Sequence, residues 1–210
     1  MSETIRAFIA VDLPEEIKSA LSSIQDRLRT RLAREGLDRV ARWARPEGIH
    51  LTLKFLGETP AVIAPELGQT LEVALAGVGA PRLTLQGLGV FPNARAPRVI
   101  WVGLGGDLEA LAALNRRVEA AIAPLGFPTE VRPFSPHLTL ARIAEHTGRD
   151  ERERIGAAVQ RATLETTAAF AARTVSLIRS DLLPGGPLYT PLHSVQLGRP
   201  HQTSEQARLV

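Results

Sequence analysis

The chain reads as an α+β protein of two lobes. Each lobe is a mostly antiparallel sheet with outer helices, and the two face a central cleft about a pseudo-twofold axis. Strand-like and helix-like segments follow one another in mixed order along the 210 residues, with long helices in each half. In addition, Arg45-Pro46-x-x-x-His50-Leu51-Thr52-Leu53 returns 87 residues later as Arg132-Pro133-x-x-x-His137-Leu138-Thr139-Leu140. The surroundings of these six identities have diverged, as expected if a histidine and a threonine were kept in each half for a shared task.

Residues 5–12 alternate as a strand and stop at Asp12-Leu13-Pro14. Proline favours the first turn of a helix, and Ile17, Leu21, Ile24, Leu28 and Leu32 recur at helical spacing, so a helix is predicted from Pro14 to Ala33. A short strand over Val40–Ala44 and a stronger one over Ile49–Leu56, ended by Gly57, come next. They are followed by a helix over Ala61–Ala76 and strands over Arg82–Phe91 and Arg98–Leu104, separated by a Pro/Asn-rich turn. Asp107 can cap a third helix reaching Ala123. His137–Ile143 repeats the motif strand, a charged helix covers Arg149–Arg161, and strands are expected over Ala168–Ser180 and Leu188–Leu197. Residues 1–198 form one bilobal domain on this reading, and 199–210 a polar C-terminal tail.

Composition bounds the function. With 44% hydrophobic residues and a mean hydropathy of +0.01, the chain should be globular. No apolar run approaches the ~18 residues that span a bilayer, so no membrane partner is expected. The absence of cysteine rules out disulfides and thiolate metal ligands and fits a cytoplasmic protein. No long exposed apolar helix stands out, so a monomer is expected. Net charge is only +3, but of 25 basic side chains only Lys18 and Lys54 are lysine. Between Lys18 and Arg45 eight basic residues face three acidic ones, which reads either as a solvated helix face or as a track for a polyanion.

The motif has chemical content. Side chains alternate along a strand, so the leucines should anchor each motif strand in a lobe while His50 and Thr52, and likewise His137 and Thr139, project from the other face. By the same parity Lys54 joins His50 and Thr52, whereas Phe55 and Arg142 fall with the leucines. Two neutral imidazoles brought together from two halves of a chain can share proton transfer, one as base and one as acid. There is no His-Glu-x-x-His, no carboxylate cluster near either motif and no phosphate-binding loop of the Gly-x-x-x-x-Gly-Lys type, so no metal and no cofactor are expected.

The paired motifs, the opening Arg6-Ala-Phe-Ile-Ala-Val-Asp-Leu-Pro14, the run His50-Leu-Thr-Leu-Lys-Phe-Leu-Gly57 and Pro136-His-Leu-Thr-Leu-Ala-Arg142 resemble the 2H phosphoesterases. Among these the chain is most similar to the RNA 2′,3′-cyclic phosphodiesterases once called 2′–5′ RNA ligases. The resemblance implies the bilobal 2H fold and metal-independent hydrolysis of an RNA 2′,3′-cyclic phosphate end, tRNA fragments being one source, to a 2′-phosphomonoester. It implies His137 as the base on water, His50 as the acid on the 3′ oxygen, and hydroxyls of Thr52 and Thr139 on the non-bridging oxygens. It also marks Arg132 as a phosphate-side arginine. Arg45 at the same offset, and Lys54 by its parity, join it as candidate substrate contacts. Phe134 and Tyr189 are the candidate surfaces for base stacking. Trp101 and Phe55 read as core, Arg142 as a structural arginine, and His146 and His201 as surface histidines. Two alternatives remain open: end-joining by the reverse reaction, and a non-catalytic nucleotide- or RNA-binding module.

Overall fold

In a computed structural model, residues 3–164, 168–184 and 186–198 are described. The expected tail and His201 lie outside these residues. The strands are β1 (Thr4–Val11), β2 (Ala41–Trp43), β3 (Leu51–Pro60), β4 (Arg82–Phe91), β5 (Val99–Gly106), β6 (His137–Ile143), β7 (Ala169–Ala171), β8 (Thr174–Leu183) and β9 (Gly186–Gln196). The α-helices are α1 (Glu15–Arg34), α2 (Ala64–Leu75), α3 (Leu108–Ile122) and α4 (Arg149–Gln160). One sheet runs β3-β1-β8-β9 and the other β2-β6-β5-β4-β7, with all paired strands antiparallel. The bilobal α+β expectation therefore holds.

Alternation along β1 explains how the first sheet is covered. Ile9 and Val11 enter the main core beneath the helices, while Phe8 and Ala10 join Ile178 and Tyr189 in a small cluster on the opposite face. That opposite face carries His50. Each helix presents one buried stripe, Ile17, Leu21, Ile24, Leu28 and Leu32 on α1 and Leu111, Leu114, Val118 and Ile122 on α3. Burying each such side chain contributes on the order of 2 kcal/mol.

Two of the helices, α1 and α3, cross between lobes. β1 lies in the first sheet, yet α1 bonds to the second through Gln25, whose amide donates to Leu140 on β6. β5 lies in the second sheet, yet α3 bonds to the first through Asn115, which donates to Leu53 on β3. This exchange is the pseudo-twofold relation in structural form.

Two boundaries differ from the sequence reading. The single strand expected over Ala168–Ser180 is two, because the chain leaves the second sheet, where β7 pairs with β4, and enters the first, where β8 pairs with β1. β3 does not end at Gly57. That glycine takes a left-handed conformation (φ 68°) beside an irregularity in the register with β1, and the strand continues to Pro60.

Candidate active site

His50 immediately precedes β3 and His137 opens β6, and the Cα atoms of these two strands come within 8 Å of each other. Both rings are partly exposed. Each is held in the same way: His50 Nδ1 lies 2.8 Å from the carbonyl oxygen of Gly48, and His137 Nδ1 lies 2.8 Å from that of Ser135. A carbonyl can only accept, so Nδ1 carries the hydrogen in both rings. The neutral imidazole therefore keeps its lone pair on Nε2, the nitrogen left for a substrate. Thr52 and Thr139 are partly exposed between buried leucines, as parity predicts.

Parity fails three residues beyond each histidine. In the β1–β3 register Ile9 faces Lys54 and Ala10 faces Thr52, so Leu53 has no partner. In the β5–β6 register Ile100 faces Ala141 and Trp101 faces Thr139, so Leu140 has none. Each is a β-bulge, an extra residue that exchanges the faces of the residues after it, in β3 as far as the second irregularity at Leu56.

Lys54 consequently does not share a face with His50. It is 5% exposed, and its ammonium donates to Glu119 on α3 and to the carbonyl of Pro128 (2.9 Å). It is a buried, paired structural cation, which corrects its expected role as a phosphate contact. Phe55, expected in the core, is instead 74% exposed, with its ring 6.3 Å from Phe8. Arg142 likewise leaves the leucine face and joins His137 and Thr139 as an exposed side chain.

Aromatic rings flank both histidines. Phe8 stacks on His50 at 4.4 Å and Tyr189 meets it edge-on at 5.1 Å. Phe91 meets His137 edge-on at 4.9 Å, and Trp101, expected in the core, lies 6.5 Å from that ring on the same side of the sheet. Gly89 admits the Trp101 ring, since a Cβ there would come within 2.2 Å of it. Burial lowers the His50 pKa to about 4, with a smaller lowering from the Arg142 guanidinium and an opposing rise from the Gly48 hydrogen bond. Burial raises the Tyr189 phenol against the pull of Arg142 and Arg6. A side chain from β6 thus adds to the electrostatics of the histidine that precedes β3, so the two motifs share one environment.

The other expected site residues divide. Tyr189 lines the site beside His50. Phe134 packs against the main core while remaining partly exposed. Arg132 and Arg45 are exposed on the loops that lead into the two motif strands. His193 bonds to Glu72 on α2 (3.0 Å), and His146 is exposed. Trp43 lies under the Arg29 guanidinium (5.0 Å). Among the described residues no three histidine, aspartate or glutamate side chains cluster as metal ligands would. Arg27, Arg31 and Arg34 of the basic stretch line a cavity of about 600 Å³ between α1, Leu88 and Ala162, which touches neither motif histidine. Sequence reasoning missed Arg142, Phe55, Phe8, Phe91 and Trp101. Phe8, Phe55 and Arg142 carried a signal, through their places in the quoted motifs.

A pseudo-symmetric pair of neighbouring His-x-Thr strands, one from each lobe, defines a two-histidine phosphoesterase. Comparison with known proteins agrees: residues 11–101 and 106–189 match the model for LigT-like phosphoesterases. The chain is 32% identical to an RNA 2′,3′-cyclic phosphodiesterase of Methanothermobacter thermautotrophicus over 92% of its own length and 99% of the relative's. It is 34% identical to one of Thermus thermophilus over 94% and 92%. Among solved structures it resembles TT0787 of Thermus thermophilus (TM-score 0.75, 29% identity, covering 94% of this chain and 100% of that one). It also resembles Escherichia coli LigT complexed with 3′-AMP (TM-score 0.70, 26% identity, with the same coverage). The chain belongs to the LigT-like family of 2H phosphoesterases.

Proposed function

We propose that the chain hydrolyses RNA 2′,3′-cyclic phosphate ends to 2′-phosphomonoesters without a metal, with His50 and His137 exchanging protons. The observation that carries this reading is the duplicated ring geometry, each Nδ1 tied to the carbonyl two residues upstream and each Nε2 left available. One imidazole takes a proton from water as its oxygen bonds to phosphorus. The other gives a proton to the 3′ oxygen as its bond to phosphorus breaks. Thr52 and Thr139 donate to the non-bridging oxygens, and Arg142 supplies positive charge on the same face. Phe55 offers an open ring face for a base. One chain supplies both histidines, so a monomer suffices, and cleaved tRNA falls within the substrate class.

The resemblance gives His137 the base and His50 the acid. Burial keeps His50 neutral near pH 7, so in that scheme its proton arrives with the substrate. A phosphodiester anion beside Arg142 cancels the guanidinium's field and gives an imidazolium a counter-charge.

The test is turnover of a nucleoside 2′,3′-cyclic phosphate in the presence of a chelator. The unsubstituted chain is expected to release the 2′-monophosphate, and His50→Ala or His137→Ala to lose about a thousandfold or more in kcat while unfolding at nearly the same temperature. Near-normal rates in either variant would overturn the scheme.

A further inference from the structure

Beyond the reacting groups, the two bulges share a device. The carbonyl of each unmatched leucine accepts a hydrogen bond from a buried side-chain amide on a helix behind it. Asn115 Nδ2 on α3 donates to Leu53 at 2.7 Å, and Gln25 Nε2 on α1 donates to Leu140 at 2.9 Å. Gln25 also donates to the carbonyl of Ala44 at 2.8 Å, on the stretch that leads into the first motif. Gln25 is fully buried in an otherwise apolar stripe, and Asn115, 7% exposed, lies among Leu111, Leu114, Val118 and Ile122 in a stripe that also holds Glu119.

A buried amide in such a stripe costs stability unless its groups are bonded. Gln25 is only half satisfied, because its Oε1 is buried with no partner among the described residues. Stability alone would favour leucine or methionine there. What the amides hold is the extra residue that decides which side chains stand beside the histidines. Without the bulge at Leu140, Arg142 would turn toward α1. Without the bulge at Leu53, Phe55 would turn toward α3, and Lys54 would leave Glu119.

We propose that Asn115 and Gln25 are a pair of positioning residues, one per lobe, that lock these bulges and so fix the surroundings of His50 and His137. This rests on the phosphodiesterase reading.

The test compares Asn115→Leu and Gln25→Met with Val118→Ala, a cavity variant at a fully buried position on α3. Steady-state kinetics on a nucleoside 2′,3′-cyclic phosphate and the NMR titration of His50 would be measured in the full chain. Each amide variant should lose about tenfold or more in kcat with KM changed less than about threefold, because small misplacements of a reacting constellation act on the transition state. In Gln25→Met the His50 titration should also move up as Arg142 shifts. Val118→Ala, losing comparable thermal stability, should keep its kcat and its titration. Should Asn115→Leu fail to fold, Asn115→Ala leaves room for a water to donate to Leu53 and should show a smaller loss of the same kind. Amide variants that fold and behave like Val118→Ala would overturn the inference. A lack of turnover in the unsubstituted chain would instead sink the phosphodiesterase reading, and the His50 titration would still decide whether Gln25 positions Arg142.

Discussion

His50 shows how much one side chain takes from its neighbours. Burial lowers its pKa from 6.5 to about 4, and Arg142 adds to the effect from the facing strand. Because the folded value lies below the unfolded one, the unfolded chain binds the extra proton between about pH 4 and 6.5. Stability is therefore intact above that window and falls as pH drops through it, by at most about 3 kcal/mol for a shift of this size. Denaturant unfolding between pH 4 and 7 should show this loss in the unsubstituted chain and a flatter profile in His50→Gln. Equal slopes would contradict the shift. A bound nucleoside 2′-phosphate should raise the His50 titration seen by NMR, whereas an unchanged value in the complex would remove His50 as acid. The histidines and threonines were legible in the sequence because they recur in matching frames. Parity places Arg142 and Phe55 on the wrong face, because each strand holds a bulged leucine that breaks it.

At the level of elements, a strand and a strand with a bulge carry the same apolar pattern. One unmatched leucine leaves no mark in a strand that is leucine-rich on its inner face, so the exchange of Lys54 for Phe55 could not be read. Helices were easier. The spacing along α1 and α3 marked their buried stripes, although it did not mark Gln25 and Asn115 as members of them. The same bulge gives Lys54 a structural task, since its ion pair with Glu119 is almost wholly buried and Glu119 also accepts from the backbone of Glu130 at 3.2 Å. Lys54→Met leaves a buried carboxylate alone and should cost about 3 kcal/mol of stability, much of it recovered in Lys54→Met with Glu119→Leu. Urea unfolding of the single and double variants checks this. A large rise in KM for the cyclic phosphate with stability unchanged would return Lys54 to the substrate.

Across the whole molecule, the repeat of 87 residues announced two lobes, but it could not announce that one helix of each is exchanged. α1 follows a strand of one sheet and serves the other, and α3 does the reverse, so neither lobe holds its own core without chain from its partner half. Heating should accordingly give one calorimetric transition whose van't Hoff and calorimetric enthalpies agree, and two resolved transitions would mean that the lobes are separable. The exchange also fixes the motif strands against each other, which is what the proposed chemistry requires. A crystal structure of the chain with a nucleoside 2′-phosphate tests that requirement most directly. Nε2 of His50 and Nε2 of His137 should each lie within hydrogen-bonding distance of oxygens on the same phosphate, and a phosphate held by only one of the two rings would contradict the account.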